Sequence, residues 1–158
     1  WETPPDLFAR LDAEFRFTLD VAASPENTKV ARFYTEADDG LAQPWTGTVW
    51  CNPPYGRGIG RWIEKAIRSV TDGATVVMLV PARTDAIWFQ QLAQHASEIR
   101  FLAGRVTFVG ATEPAPFPSA VVVLRPQYGR WPSQYGLTYK LPKRHSSHPW
   151  TRAIVVDG

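Results

Sequence analysis

Thr48-Val49-Trp50-Cys51-Asn52-Pro53-Pro54-Tyr55, followed at once by Gly56-Arg57-Gly58-Ile59-Gly60, is the stretch from which the fold can be read. Four residues of strand-forming type run into an amide side chain, two residues without a backbone N–H, and an aromatic plane. Proline cannot donate to a sheet ladder, so the strand must stop before Pro53. The glycine-rich loop then opens the clearest helix of the chain, in which Ile59, Trp62, Ile63, Ala66, Ile67 and Val70 share one face at helical spacing. A strand, a turn and a helix in this order are one unit of an α/β sheet, and ligands of such sheets bind at the carboxyl ends of the strands. There the Asn52 side-chain oxygen and the Pro53 carbonyl offer two acceptors and Tyr55 a stacking face, a clamp for a flat group bearing an amine. A proline-stiffened strand-to-helix turn accounts for the same residues.

Upstream, Thr3-Pro4-Pro5-Asp6 reads as a helix start with Thr3 as cap, and Leu7, Phe8, Leu11 and Phe15 follow at helical spacing. From Phe15 the period becomes two, so Phe15 to Val21 is expected to be the first strand, with Asp20 near its carboxyl end. Asp20 followed by Ala22-Ala23-Ser24 is then a candidate cofactor floor; an acidic residue that merely caps the next turn fits equally. Residues 25–47 are polar, with an expected short helix over Asn27–Phe33, a turn at Asp38-Asp39-Gly40, and no full strand. Downstream, the apolar run Thr75–Val80 suggests a strand covered on both faces, and a helix carries Trp88, Phe89, Leu92, Ala93 and Ala96. Ile99–Leu102 and Arg105–Val109 read as two strands joined at Ala103-Gly104, and Ala120–Leu124 as the last core strand. The pattern predicts an α/β fold whose sheet is mostly parallel with an antiparallel edge.

A chain of 158 residues with 44% hydrophobic content is one domain by size. Neither an apolar run of membrane-spanning length nor a basic-then-apolar amino terminus is present in it, so it reads as a soluble, unexported, cytoplasmic protein. Its lone Cys51 excludes an intrachain disulfide and a multi-cysteine zinc site. The formal charge is +2, unevenly spread: residues 1–125 carry 12 Lys and Arg against 14 Asp and Glu, and residues 126–158 carry 5 against 1. The division expected is a catalytic domain over 1–125 and a basic aromatic tail over 126–158. In that tail Arg130, Lys140, Lys143, Arg144 and Arg152 alternate with Tyr128, Trp131, Tyr135, Tyr139 and Trp150. The mixture suits phosphate contacts with base stacking, or simply a solvated end.

Several chemistries are absent. A dinucleotide fingerprint would need glycine where Arg61 stands, and the phosphate-loop pattern is missing. His95, His145 and His148 lack zinc-site spacing, so no metal is expected. Cys51, on a buried strand, reads as a small hydrophobe rather than a nucleophile. Arg57 and Arg61, at the start of the helix after Tyr55, suit a phosphate contact. The clamp therefore works without base, nucleophile or metal. Two acceptors aimed at the N–H bonds of a ring amine favour its pyramidal, nucleophilic form, while orientation toward an electrophile supplies much of the rest.

From Trp1 to about Pro126 the chain resembles the small Dam-like DNA adenine-N6 methyltransferases of bacteriophages and prophages. The residues that carry the resemblance are Thr3-Pro4-Pro5, the segment from Phe17 to Ala23, Asp39-Gly40-Leu41 and Val49 to Tyr55, together with Val80 to Asp85, Gly104 to Phe108 and Phe117 to Ala120. It implies a compressed, Rossmann-like S-adenosylmethionine-dependent methyltransferase fold acting on double-stranded DNA in a prokaryotic or phage-infected cell. S-adenosylmethionine is expected near Thr3, Pro4, Asp20, Ala22, Ala23 and Ser24, with Asp39 as its second carboxylate. Asn52, Pro53, Pro54 and Tyr55 are the expected catalytic clamp for an adenine flipped from the duplex. Phe108 is a second stacking face or a core aromatic; Arg83, Asp85 and Arg105 orient the clamp or touch DNA, unless two of them form an ordinary ion pair, and Arg57, from its place before the helix, is a further candidate DNA contact. Two features depart from the pattern: the floor after Asp20 has no glycine, and only 31 residues separate Asp20 from Asn52 where two further strands are usual. This keeps a non-catalytic DNA-binding descendant open. Asn52 favours adenine over cytosine-N4, for which serine is usual.

Overall fold

The computed structural model describes residues 1–126 and 154–155. Three helices and six strands run in the order α1 (Pro5–Phe15), β1 (Leu19–Asp20), β2 (Thr48–Cys51), α2 (Ile59–Thr71), β3 (Thr75–Pro81), α3 (Ile87–His95), β4 (Glu98–Phe101), β5 (Ser119–Leu124) and β6 (Ile154–Val155). They form one sheet in the order β1-β2-β3-β5-β4-β6. Strands β1, β2 and β3 are mutually parallel, β5 is antiparallel to both β3 and β4, and β6 runs parallel to β4. The sheet is mostly parallel, as expected, but its antiparallel strand lies inside, between β3 and β4. The remaining residues of the basic tail, with its aromatics and His145 and His148, lie outside the described residues.

Strand periodicity sorts the core into two layers. Val76, Met78 and Val80 face α2 and α3, where they meet Ile59, Ile63, Phe89 and Leu92; Val77 and Leu79 point the other way, onto Phe8 and Leu11 of α1 and onto Phe108. With both faces covered, every residue of β3 after Thr75 is buried, which is why its sequence is an unbroken apolar run.

Four local expectations change. Helix α1 continues through Phe15 and is stopped by Arg16, whose left-handed backbone (φ 54°) sends the chain into a strand of only two residues. The ring of Phe15 serves α1 and still stacks on Phe17, so its helical and strand periods overlap. Thr3 does not cap α1; Pro4 occupies the cap position, and no side chain caps there. No helix forms over 27–33. Instead residues 32–34 lie beside β1, with the Asp20 N–H donating to the Arg32 carbonyl and the Tyr34 N–H to the Asp20 carbonyl, 3.0 and 2.8 Å. This single-bridge pairing through Phe33 is all the strand structure in the 25–47 segment. Finally, residues 105–109 form no strand, only an isolated bridge between Val109 and Glu2. The reason is that β4 pairs with β5 on one side and β6 on the other, leaving no edge for a hairpin partner.

Arg100 of β4 ties α1 to the sheet. Its guanidinium meets both Glu14 carboxylate oxygens at 2.6 Å and Glu98 at 2.6 Å, and it lies 5.2 Å from the centroid of the Phe15 ring. The hydrogen bonds from Arg100 hold the Glu14 carboxyl below its ordinary range. Arg100→Ala is expected to lower stability by about 1–2 kcal/mol, through lost stem packing as much as lost charge. Urea unfolding at low and high salt checks this: the difference from wild type should shrink with salt without vanishing.

Candidate active site

Parallel pairing brings Asp20 opposite Trp50, and Cys51 opposite Met78. The carboxyl ends of β1, β2 and β3 therefore align, and Asp20 and Asn52 leave the sheet side by side. Strand β2 stops at Cys51 because Pro53 and Pro54 cannot continue its ladder.

Every polar group of the Asn52 side chain is oriented by protein. Its Nδ2 donates to the Trp1 carbonyl at 2.6 Å and to Thr3 Oγ1 at 3.1 Å. Its Oδ1 accepts from the Tyr55 hydroxyl at 2.9 Å, and that hydroxyl also reaches the Leu79 carbonyl at 3.2 Å. The reversed amide would set its oxygen against the Trp1 carbonyl, so these partners fix the orientation. An amide oxygen has two lone pairs, and one bond to Tyr55 leaves the other for a ligand. Burial pushes the Tyr55 hydroxyl well above its ordinary pKa, so it remains a donor. Among the described residues no hydrogen bond is donated to the Pro53 carbonyl. Cys51 is fully buried, and burial together with the nearby Asp20 pushes its thiol up as well, in keeping with a small hydrophobe.

The clamp forms one wall of a cavity of about 830 Å³, within the range of small-molecule sites. Asn52, Pro53 and Pro54 stand on one side; Ala22, Ala23 and Ser24 follow β1, and Asp39 and Gly40 close another. Thr3 and Asp20 border an adjoining hollow that also touches Asn52, whereas Pro4 lines a separate cleft along α1. Gly40 is needed by close approach: a Cβ there would lie 2.3 Å from the Val21 carbonyl oxygen. The Trp45 indole N–H holds the Gly40 carbonyl at 2.7 Å. Thus Asp39, itself left-handed at φ 51°, is carried to the end of β1 without any intervening strand.

The lining includes Glu2, Glu36 and Asp39 and no lysine or arginine. Such a wall repels phosphates and suits a ligand bearing positive charge and hydroxyls. S-adenosylmethionine, with its sulfonium, ammonium and ribose groups, fits in charge and size.

Asp20 is only 4% exposed. Desolvation pushes its carboxyl up to about 6, against the Ala22 and Lys29 backbone N–H groups and the Lys29 charge. The unfolded carboxyl ionises near 3.8. Between those pH values the native state therefore binds more protons than the unfolded chain, and stability from this group rises as pH falls. Above pH 6 the full penalty applies, about 3 kcal/mol. Asp20→Asn is accordingly expected to melt higher than wild type at pH 7–8 and equally near pH 4, at the cost of cofactor affinity if the carboxylate serves the ligand. Thermal melts across pH, with calorimetry of cofactor binding, check both parts.

The other expected site residues divide. Tyr55, Arg83 and Asp85 line a hollow of about 300 Å³ with Trp88 and Phe117. Arg57 is exposed in the loop before α2, whereas Arg105 lies apart, on the cleft along α1. No ion pair among the described residues joins Arg83, Asp85 and Arg105. Phe108 is 2% exposed, with its ring against Trp1 and Tyr55, so it supports those rings from below. Sequence reading did not foresee the Trp1 carbonyl and Thr3 hydroxyl as partners of Asn52, nor the close approach at Gly40. Only Gly40 left a signal, as the glycine of a turn; the contacts of Trp1 and Thr3 span some fifty residues.

The chain matches the family model described as DNA N-6-adenine-methyltransferase (Dam) over residues 1–127. It is 34% identical over 110 residues to the DNA N-6-adenine-methyltransferase of Escherichia phage T1, covering 68% of this chain and 46% of that protein. The chain thus spans about half the length of the phage T1 relative. With the DNA N-6-adenine-methyltransferase of Haemophilus phage HP1 it is 29% identical over 155 residues, 91% of this chain and 90% of the relative. A putative methyltransferase of Escherichia coli K12, YfdM, is 35% identical over 63 residues, 35% of this chain and 69% of that protein. The matched region takes in α1 through β5 and with them the clamp, the acidic cavity and the Asp39-Gly40 turn: the chain belongs to the DNA N-6-adenine-methyltransferase (Dam) family.

Proposed function

We propose that this protein transfers a methyl group from S-adenosylmethionine to the exocyclic amine of adenine in double-stranded DNA, using a compressed Rossmann-like domain over residues 1–125. The observation that carries the reading is that the amine clamp and the acidic cavity share one wall, Asn52-Pro53-Pro54. A methyl donor bound beside Ala22, Ala23, Ser24 and Asp39 supplies an electrophilic methyl carbon on a sulfonium. Everything else is positioning by this chain.

Adenine turned out of the duplex stacks on Tyr55, and its amine meets Asn52 Oδ1 and the Pro53 carbonyl. Both acceptors draw on the N–H bonds, concentrating the lone pair on nitrogen along the line of attack. As the new N–C bond forms, the S–C bond breaks and its electron pair stays on sulfur. The amine then gives its extra proton to water, because none of Asn52, Pro53 and Tyr55 is a base. Asp39 is suited to the donor's ribose hydroxyls, and Asp20 holds the floor by accepting from the Ala22 N–H at 3.3 Å. Exposed Arg57 and Arg83 are placed to neutralise phosphates near the clamp. The short 25–47 segment supports a working cofactor site, since it delivers Asp39 by the Gly40 contact without extra strands.

Incubating the protein with methyl-labelled S-adenosylmethionine and unmethylated genomic DNA, then digesting to nucleosides, tests the reading. Label is expected in N6-methyldeoxyadenosine. Label confined to methylcytosine would assign the cytosine-N4 reaction, and DNA binding without cofactor binding would leave a non-catalytic module.

A further inference from the structure

Residues 109–116 leave the core beside Tyr55 and return to it beside Tyr55. Phe108, just before them, has its ring 6.0 Å from that of Tyr55; Phe117, just after them, lies 5.6 Å from the same ring, edge-on. The two ends of the segment are therefore close together, the geometry of a compact surface loop packed on its own residues. Ala115 fills the inside of the loop at 3% exposure, and its N–H donates to the Val106 carbonyl at 2.8 Å. Gly110, left-handed at φ 80°, lets the Ala111 N–H close a turn onto the Phe108 carbonyl at 3.0 Å. The Val109 N–H is held by the Glu2 carbonyl at 3.0 Å, and Pro114, Pro116 and Pro118 fix three further φ angles. Thr112, Glu113 and Pro114 form the exposed tip.

The charge of that tip is opposite to its neighbours'. Arg57 and Arg83 are exposed, Arg83 on the hollow that Tyr55 and Phe117 share, and they suit phosphates. Residues 109–118 carry no lysine or arginine, and the Glu113 carboxylate has no ion-pair partner among the described residues. Phosphates repel a carboxylate, so Glu113 gains from a duplex only by reaching an amine on a base edge. Glu113 is four residues from Phe117, which holds their Cα atoms within about 14 Å. At a rise of about 3.4 Å per base pair, that reach covers the pairs within about four of the target.

We infer that Glu113, carried on the 109–116 loop, reads the sequence beside the target: its carboxylate accepts from the N4 amine of a cytosine in the major groove of a flanking base pair. Adenine also presents an amine in that groove, but beside its N7 acceptor, which repels a carboxylate; cytosine presents its amine without a neighbouring acceptor. This rests on the proposed action on adenine in DNA and adds a residue that sets the sequence context. A stiff loop has little freedom to lose on binding. Because both of its ends rest on the Tyr55 ring, the pair it reads keeps a fixed distance from the adenine in the clamp.

The test uses a pool of duplexes with one central adenine between randomised flanks. Wild type, Glu113→Ala and Glu113→Gln each retain their preferred duplexes in the presence of S-adenosylmethionine, and the retained duplexes are sequenced. Wild type is expected to favour cytosine about tenfold at one flanking position. Glu113→Ala should lower that preference to about twofold or less and leave the other positions as they were. Glu113→Gln should move it to adenine, whose N6 and N7 pair together with a side-chain amide. Both variants should melt with wild type, since the tip is exposed. No cytosine preference in wild type, or the same preference in Glu113→Ala, would overturn the inference. So would a Glu113→Ala protein that retains all sequences more weakly but with unchanged preferences, which would make Glu113 a general support of binding. Retention is read without methyl transfer, so the labelling of nucleosides decides the methyl-transfer reading separately, and an active enzyme indifferent to Glu113→Ala removes only this contact.

Discussion

Asn52→Ala is expected to lower the single-turnover rate of methyl transfer by about a hundred- to a thousandfold, the usual cost of removing one pre-organised polar group at a developing charge. S-adenosylmethionine affinity should change by no more than a few fold, because the cofactor cavity keeps the ends of β1 and the Asp39-Gly40 turn. The contrast with Thr3→Ala isolates the cause. Thr3 Oγ1 is one of two acceptors for Asn52 Nδ2, and the Trp1 carbonyl is the other. Its loss leaves Oδ1 in place, so the rate should fall less than tenfold. Rapid-quench methylation with calorimetry on both variants is the measurement. An Asn52→Ala enzyme as fast as wild type would remove the clamp from the mechanism, and a Thr3→Ala defect as large as that of Asn52→Ala would make the tether, rather than the acceptor, decisive.

Gly40→Ala is the second large effect. The added methyl would sit 2.3 Å from the Val21 carbonyl oxygen and 3.4 Å from the Trp62 ring. The ring can yield, but the carbonyl cannot easily, because the Val21 N–H is bonded to the Trp50 carbonyl at 3.2 Å and the residue belongs to the sheet end. Residues 39–45 must therefore move outward, straining the Trp45 bond to the Gly40 carbonyl. The stability loss should be about 1–3 kcal/mol, which lowers the melting temperature by several degrees in a domain of this size. Asp39 moves with the turn, so cofactor affinity should fall by more than tenfold while DNA binding is spared. Melting curves and calorimetry check the two parts, and wild-type cofactor affinity in this variant would exclude Asp39-Gly40 from the cradle.

Much of the candidate site was legible because its residues are neighbours in the chain. Asn52, Pro53 and Tyr55 are adjacent to a strand that proline must end, so their place at a sheet end followed from backbone hydrogen bonding alone. Strand β3 and helix α2 were legible for a similar reason: burial on two faces and on one stripe leaves a continuous run and a 3.6-residue period. Illegible were the elements whose form is set by distant partners. Residues 105–109 have a strand-like composition, but both sides of β4 are already paired. Arg32 and Phe33 look like the end of a polar helix until β1 offers them its free edge. Phe108 could be read as a stacking face or a core ring, and only its position under Trp1 and Tyr55 separates these.

By itself the sequence determined the family and the α/β order of elements, and placed the proposed amine clamp at a strand end, because each depends on side-chain type and spacing along the chain. The tertiary structure decided where the antiparallel strand sits and how Asp39 reaches the acidic cavity at the strand ends without added strands. It also decided that Trp1 and Thr3 orient Asn52. These are contacts between segments far apart in the chain, made by backbone carbonyls and by a missing Cβ, which no local pattern of side chains encodes.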